Sequence, residues 1–292
     1  MNSDVPQRIL KAAADPRYYQ IAVLGSLLIF GIGVLGFDVT WLHAVAIFAT
    51  ALAVQYLCTR LVAAGRFDPL SPLITSLSLT LLLRTDVLAV AAGAAAIAIA
   101  SKFLVRFRSK HVFNPANAAI VVAILLSDRA WVSTGQWGSA AIGAFAFACL
   151  GFLVLTRAKR SETTIAFLAG YALLVFGRAL WLGDPLSIPV HQLQNGALLL
   201  FAFFMISDPK TAPDAAIGRV LYGLLVAVVT YVVQFVFFEP GAPILALVMC
   251  APLVPVIDAC FVGRRYVWRL SLPRGAATPA DVLYSMPQRR IP

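Results

Sequence analysis

The residues best suited to bind a ligand lie at two boundaries between polar and apolar sequence. Lys110, Asn114 and Asn117 stand where one apolar run begins, and Asp208 and Lys210 follow the end of another. An ammonium group beside the free N–H groups of a helix start suits a phosphate, a carboxylate or a flavin head group. We therefore predict that these five residues bind a cofactor. Helix capping, together with charges that orient the chain in a membrane, is the alternative explanation of the pattern.

A four-residue motif, Asp-Pro-Leu-Ser, occurs at 68–71 and again at 184–187, and a short apolar run follows each copy. Asp caps the free N–H groups of a helix start and Pro suits the first turn, so plain capping is one interpretation. The other is that two short helices end inside a membrane, with their positive N-terminal dipoles facing a polar ligand. On that interpretation a cavity is lined by Asp68, Ser71, Thr75, Asp184, His191, Gln194 and Asn195.

The composition identifies the class of protein that positions these residues. Hydrophobic residues make up 61% of the 292 residues and charged residues 12%, and the mean hydropathy is +0.87. A soluble domain carries about 25% charged residues, so we predict a polytopic protein of the lipid bilayer. The formal net charge of +10 does not indicate a nucleic-acid partner, because the basic residues lie in short loops between apolar runs.

Ten apolar segments predict an all-α fold of about ten transmembrane helices. Most approach the roughly 20 residues that cross the hydrocarbon, but three, at 73–83, 115–126 and 193–206, are shorter. The other seven segments are 21–37, 41–64, 87–105, 139–156, 163–182, 218–238 and 242–262.

The distribution of Lys and Arg predicts how these segments are oriented. If all ten cross from a cytoplasmic N-terminus, only Arg84, Arg129 and Arg178 of the 23 Lys and Arg residues lie outside. This asymmetry is what the positive-inside rule requires, so we predict that both termini are cytoplasmic. The predicted parts are a cytoplasmic N-terminal segment (1–15), a membrane domain (16–263) and a cytoplasmic basic tail (264–292).

This topology places the two Asp-Pro-Leu-Ser motifs on opposite faces of the membrane, five segments apart. Because five is odd, a duplicated five-helix unit has to enter the membrane upside down, which is the arrangement of an inverted repeat. A weaker second pair joins Asn114-Pro115, before the fifth segment, with Glu239-Pro240, before the tenth. The predicted halves are 16–127 and 139–263.

Several kinds of chemistry lack the residues that they need. The only histidines are His43, His111 and His191, and the predicted topology separates His111 from the other two, so we predict no metal site. Because no P-loop and no Ser–His–Asp spacing is present, we assign no catalytic residue. Asp258, an ionisable group within the tenth segment, indicates either a functional role or an ion pair with Arg264 or Arg265.

Four strings resemble one family of electron-transport subunits. Residues 110–116 resemble the Asn-Pro-Ala helix start of the D subunit of the Rnf complex and of the B subunit of the sodium-pumping NADH:quinone oxidoreductase. Residues 161–164, 203–209 and 218–223 resemble that family's G-E-T-S, F-F-M-A-T-D-P and G-[KR]-x-x-Y-G strings. The resemblance implies ten helices in two inverted halves and a redox role beside other membrane subunits.

One motif of that family is not found in this chain. The family carries FMN on the Thr of an S-G-A-T motif, whereas residues 133–141 read S-T-G-Q-W-G-S-A-A. The sequence therefore predicts no covalent flavin, and the resemblance implies at most non-covalent FMN or riboflavin.

A closer resemblance is to short membrane proteins found beside enediyne biosynthesis genes, which share the strings at 15–22, 81–85, 110–115, 135–139 and 205–210. We expect a redox-linked subunit of the bacterial inner membrane that associates with flavin or quinone. The alternatives are a small-molecule channel or transporter, or a non-catalytic scaffold of a biosynthetic or export system.

Overall fold

The computed structural model describes residues 15–62, 67–108, 110–133, 135–137 and 161–266. Contacts group Pro16–Arg264 into one compact unit. The predicted sixth segment, 139–156, and nearly all of the predicted terminal segments 1–15 and 264–292 lie outside the described residues.

Five helices form the described part of the first predicted half. α2 begins where the Thr40 side chain accepts the backbone N–H of His43, and α5 begins where Asn114 caps the helix and Pro115 occupies its first turn. The helices are α1 (Pro16–Gly33), α2 (Trp41–Leu61), α3 (Leu70–Leu82), α4 (Leu88–Leu104) and α5 (Pro115–Leu126). The predicted short segments 73–83 and 115–126 correspond to α3 and α5.

The helices of the second half are interrupted more often. They are α6 (Ser161–Leu182), α7 (Ser187–Leu193), α8 (Gly196–Leu200), α9 (Ala216–Phe235), α10 (Ala242–Cys250) and α11 (Val254–Cys260). α8 continues into a π-helical turn, Phe201–Met205. A 3-10 turn at Ala251–Leu253 joins α10 to α11, because Pro252 and Pro255 cannot donate backbone hydrogen bonds.

The all-α prediction misses four short strands. β1 (Leu83–Thr85) pairs antiparallel with β4 (Ala130–Val132), with Leu83 opposite Val132. β2 (Arg106–Phe107) pairs antiparallel with β3 (Lys110–His111). β1 follows α3, β2 follows α4, β3 precedes α5 and β4 follows α5. Pairing between these strands gives hydrogen-bond partners to backbone N–H and C=O groups that lie beyond the helix ends. Two- and three-residue strands leave no periodicity from which the sequence predicts them.

Among the described residues, four helical elements are long and apolar enough to cross a membrane alone: Trp41–Leu61, Ser161–Leu182, Ala216–Phe235 and Ala242–Cys260. The pair α7 and α8 with its π turn, bent by 47°, makes a fifth if it counts as one broken span. α3, α4 and α5 are shorter apolar helices. The described residues therefore form a multi-pass membrane protein, and the ten crossings stay a prediction.

Side-chain contacts fix the direction of the two most closely packed helices in the second half. Near their beginnings, Glu162 of α6 pairs with Arg219 of α9. Near their ends, the Arg178 guanidinium of α6 lies 4.6 Å from the centre of the Phe235 ring of α9. α6 and α9 are therefore parallel, so the α7–α8 segment between them runs in the opposite direction.

The first half has the same alternation. The beginnings of α2 and α4 meet the end of α3, because His43, Ala91 and Arg84 line one cavity. At the other end, Lys102 near the end of α4 donates to Ser71 near the beginning of α3. α3 is thus antiparallel to its neighbours α2 and α4.

Candidate cofactor site

Lys110 is the centre of an ion-pair group that joins the two halves of the chain. Its ammonium lies 2.7 Å from a carboxylate oxygen of Asp258 and 3.2 Å from one of Asp214, and all three side chains are largely buried. The other oxygen of Asp258 accepts the backbone N–H of Asp214 at 2.7 Å. The predicted binding residue Lys110 is therefore paired with carboxylates of the same chain, and Asp258 within the apolar tenth segment has Lys110 as a partner.

Asn114 connects the beginning of α5 to the end of the π turn. Its side-chain oxygen accepts the N–H of Asn117 at 3.1 Å. Its amide nitrogen is 3.4 Å from both the Met205 carbonyl and a carboxylate oxygen of Asp208. The other Asp208 oxygen accepts the backbone N–H of Lys210 at 2.9 Å. The structure thus brings Asn114 and Asp208 together, and cofactor binding by them stays a prediction.

Asn117 is a buried residue in the first turn of α5. Its amide nitrogen donates to the Ile244 carbonyl in the first turn of α10 at 2.9 Å. The side chain is 1% exposed, and its oxygen has no hydrogen-bond partner among the described residues. A buried carbonyl oxygen without a donor costs about 1–3 kcal/mol, so this atom is suited to accept a hydrogen bond from a ligand.

The sequence interpretation missed Lys102, a 5%-exposed lysine near the end of α4. Its ammonium donates to the Ser71 hydroxyl at 3.1 Å and lies within the electrostatic reach of Asp208 and Asp68. Lys102 belongs to a run of basic residues, 102–110, whose charges are explained by the positive-inside rule without any ligand. Its burial follows from the packing of α4 against α3, which no local pattern shows. We call Ser71, Lys102, Lys110, Asn114, Asn117, Asp208 and Lys210 the polar cluster.

The electrostatics of the polar cluster favour a neutral histidine beside several lysines. Burial, with the positive charges of Arg106, Lys102 and Lys210, lowers the pKa of His111 to about 4. Burial also raises the pKa of Asp208, while the Lys210 N–H and the charges of Lys210, Lys102 and Lys110 oppose that rise. His111 is thus uncharged at pH 7 and adds no positive charge beside the cluster.

The predicted cavity-lining residues separate into two places. Asp68 pairs with Arg17 and accepts the N–H of Leu70, while Thr75 donates to the backbone carbonyl of Ser71. These three predicted residues lie at the end of the molecule that holds the polar cluster. Asp184 pairs with Arg178 at 3.3 Å at the opposite end, beside α7.

The remaining predicted residues follow Asp184 along the chain. His191 is exposed, and Gln194 is the half-buried residue that ends α7. Asn195 caps α8 by accepting the N–H of Ala197 at 2.8 Å.

Asn195 lines a cavity of about 260 Å3 between the beginnings of α8 and α10. Gln192 and Gln234 also line it, and Gln234 accepts a hydrogen bond from Tyr171. Ile244 lines this cavity, and its backbone carbonyl accepts the hydrogen bond from the Asn117 side chain. We call it the outer cavity, and the Asn117–Ile244 contact lies between it and the polar cluster.

Comparison with known proteins supports the family resemblance. Residues 128–267, just under half of the chain, match the NQR2, RnfD, RnfE family. The resemblance predicted from the strings at 161–164, 203–209 and 218–223 is thereby confirmed.

Three relatives are named as the D subunit of an ion-translocating oxidoreductase complex. The one from Erwinia tasmaniensis is 35% identical over 109 residues, which are 37% of this chain and 30% of that protein. The one from Psychromonas ingrahamii is 33% identical over 106 residues, covering 36% of this chain and 30% of the relative. One from Escherichia coli is 28% identical over 131 residues, covering 45% and 33%. The chain thus matches about a third of the length of these relatives.

Proposed function

We propose that the chain is an electron-transport subunit of the bacterial inner membrane that works with other membrane subunits. The observation that carries the proposal is the similarity to these D subunits, whose name describes an ion-translocating oxidoreductase complex. We propose further that FMN or riboflavin binds non-covalently at the polar cluster, through Lys110, Asn114, Asn117, Asp208 and Lys210.

Two buried groups of the polar cluster fit a flavin. A flavin ring carries an imide N–H between two carbonyl oxygens, and the Asn117 side-chain oxygen is a buried acceptor without a donor among the described residues. The Lys102 ammonium has three N–H donors, of which the Ser71 hydroxyl takes one. A bound flavin supplies one- and two-electron transfer, and the chain's own residues orient it and set its charge environment.

The content of flavin in purified variants tests both the redox role and the place of binding. We expect about one flavin per wild-type chain, released intact on denaturation. The variant Asn117→Leu is expected to bind flavin about tenfold more weakly, because the change removes one buried hydrogen bond and blocks the site. The measurement is flavin absorbance per mole of protein after gel filtration in mild detergent.

Asn195→Ser is the matched control, because Asn195 also caps a helix but lies at the outer cavity. It is expected to keep its flavin. Loss of flavin from Asn195→Ser alone would move the site to the outer cavity. A flavin retained equally by all three proteins would refute the polar cluster as the site.

A small-molecule transporter is the second candidate function, and the outer cavity is the observation that favours it. Polar amides of Gln192, Asn195 and Gln234 line this cavity, and the Asn117–Ile244 contact separates it from the polar cluster. Inverted-repeat transporters work by opening a central site first toward one face of the membrane and then toward the other. A colourless protein that binds neither FMN nor riboflavin would favour this candidate.

We also propose that the chain crosses the membrane ten times in two inverted halves, with both termini cytoplasmic. Three features support the proposal: α6 and α9 are parallel with α7–α8 running back between them, α3 is antiparallel to α2 and α4, and α5 meets α10 near the beginnings of both helices.

Reporter fusions test this topology. A reporter joined after Asp184 is expected to read outside and one after Asp208 inside, since α7–α8 would carry the chain back across. Alkaline phosphatase and green fluorescent protein activities at the two positions give the answer. Both positions reading on one side would eliminate the inverted repeat.

A further inference from the structure

A groove between α6 and α9, at the end of the molecule that holds Asp184, has no role in the proposed redox function. It is open, has a volume of about 540 Å3, and is lined by Leu173, Gly177, Arg178, Trp181 and Tyr231 among others. Leu173 is 75% exposed and Trp181 88% exposed. The groove is therefore apolar along its length, with one guanidinium at its side.

The groove lies beyond the closest approach of α6 and α9, which glycines make possible near the beginnings of both helices. A Cβ added at Gly223 would lie 2.6 Å from the Thr163 carbonyl oxygen, and one at Gly170 would lie 2.9 Å from the Leu224 side chain. A Cβ at Gly177 would meet no atom of the described residues within 4 Å. Gly170 and Gly177 are about two helical turns apart on one face of α6, so this face is filled by α9 at Gly170 and has space at Gly177.

Arg178 is held at the groove by two contacts. Its guanidinium is 3.3 Å from Asp184 and stacks over the Phe235 ring at 4.6 Å. A guanidinium has five N–H donors in a planar fork, and the Asp184 contact involves one of its nitrogens, so donors remain for phosphate oxygens. Trp181, one turn further along α6, is the kind of residue that anchors a helix at the membrane interface.

We propose that this groove is a phospholipid site, in which an acyl chain lies along Leu173, Gly177 and Tyr231 and the phosphate binds Arg178. The donors decide the class of occupant: guanidinium N–H groups that Asp184 does not use, beside an apolar groove and one turn from an interfacial tryptophan, complement a phosphate attached to a hydrocarbon chain.

The test uses the full chain purified in detergent, stripped of lipid and titrated with phosphatidylglycerol, with retained lipid counted by native mass spectrometry. Gly177→Leu fills the groove and Arg178→Gln removes the charge, and each is expected to weaken binding about tenfold. Arg178→Lys keeps the charge and is expected to recover part of the affinity.

Gly25→Leu is the matched control, because a Cβ at Gly25 in α1 also meets nothing within 4 Å. It is expected to bind lipid like the wild type, with unchanged gel-filtration and circular-dichroism profiles in all variants. Equal affinity of Gly177→Leu and wild type would overturn the site. Binding of soluble glycerol phosphate with the same affinity would assign it to a free phosphate instead, and displacement of lipid by a co-purifying membrane subunit would assign it to a protein partner.

Discussion

Lys110→Met is expected to destabilise the protein by about 3 kcal/mol, because it leaves two carboxylates without their shared cation. Lys110 lies 2.7 Å from Asp258 and 3.2 Å from Asp214, and the three side chains are only 11%, 19% and 12% exposed. Removing one partner of a buried ion pair costs far more than the pair contributes, since an uncompensated charge remains. The change appears as a lower midpoint of denaturation by sodium dodecyl sulfate in mixed micelles.

Two comparisons separate this effect from a general loss of charge. Arg129→Gln breaks an ion pair with Asp86 in which the side chains are 63% and 49% exposed, so its effect is expected to stay below about 1 kcal/mol. The double variant Lys110→Met with Asp258→Asn removes one of the stranded charges and is expected to be more stable than Lys110→Met. Equal stability of Lys110→Met and Arg129→Gln would show that the group around Lys110 is solvated.

Arg219→Met is expected to cost about 2–3 kcal/mol, because Arg219 joins the beginnings of α6 and α9 through three hydrogen bonds. Its guanidinium donates to the two Glu162 oxygens at 3.0 and 3.1 Å and to the Asp214 carbonyl at 2.7 Å. Removal of Arg219 is expected to cost more than Glu162→Gln, because it removes all three hydrogen bonds, whereas Gln keeps one oxygen that can accept from the guanidinium. Unfolding in detergent, followed by circular dichroism, measures the difference.

The conservative variants of this pair distinguish geometry from charge. Arg219→Lys keeps the charge but loses the planar fork, so it is expected to recover only a minor part of the stability. Glu162→Gln keeps the shape and is expected to cost less than Arg219→Met. Full stability of Arg219→Lys would contradict the role of the two-point contact.

Much of the helical architecture follows from local sequence. Apolar runs bounded by Asn114-Pro115 and by Gly241-Ala242 predict α5 and α10 with the right first residues. The segment 193–206 is harder to predict, because its uniform apolar composition does not reveal the 47° bend or the π turn. The four short strands are not predictable because each is only two or three residues long.

The candidate site was predictable only in part. Asn114, Asp208 and Lys110 attract attention because they stand at the boundaries of apolar runs, where a helix start offers free N–H groups to a ligand. Lys102 and Asp214 do not, since each belongs to a polar loop or a basic run and acquires its environment from helices distant in sequence. The partner of Asp258 is 148 residues away, and no local pattern identifies such a pair.

The most direct measurement of the proposed function is the visible absorption spectrum of the purified wild-type protein during reduction with dithionite and reoxidation in air. The proposal predicts flavin absorption bands that bleach and return, and a gel after denaturation without flavin fluorescence on the protein. A colourless protein that remains colourless after incubation with FMN and with riboflavin would contradict it.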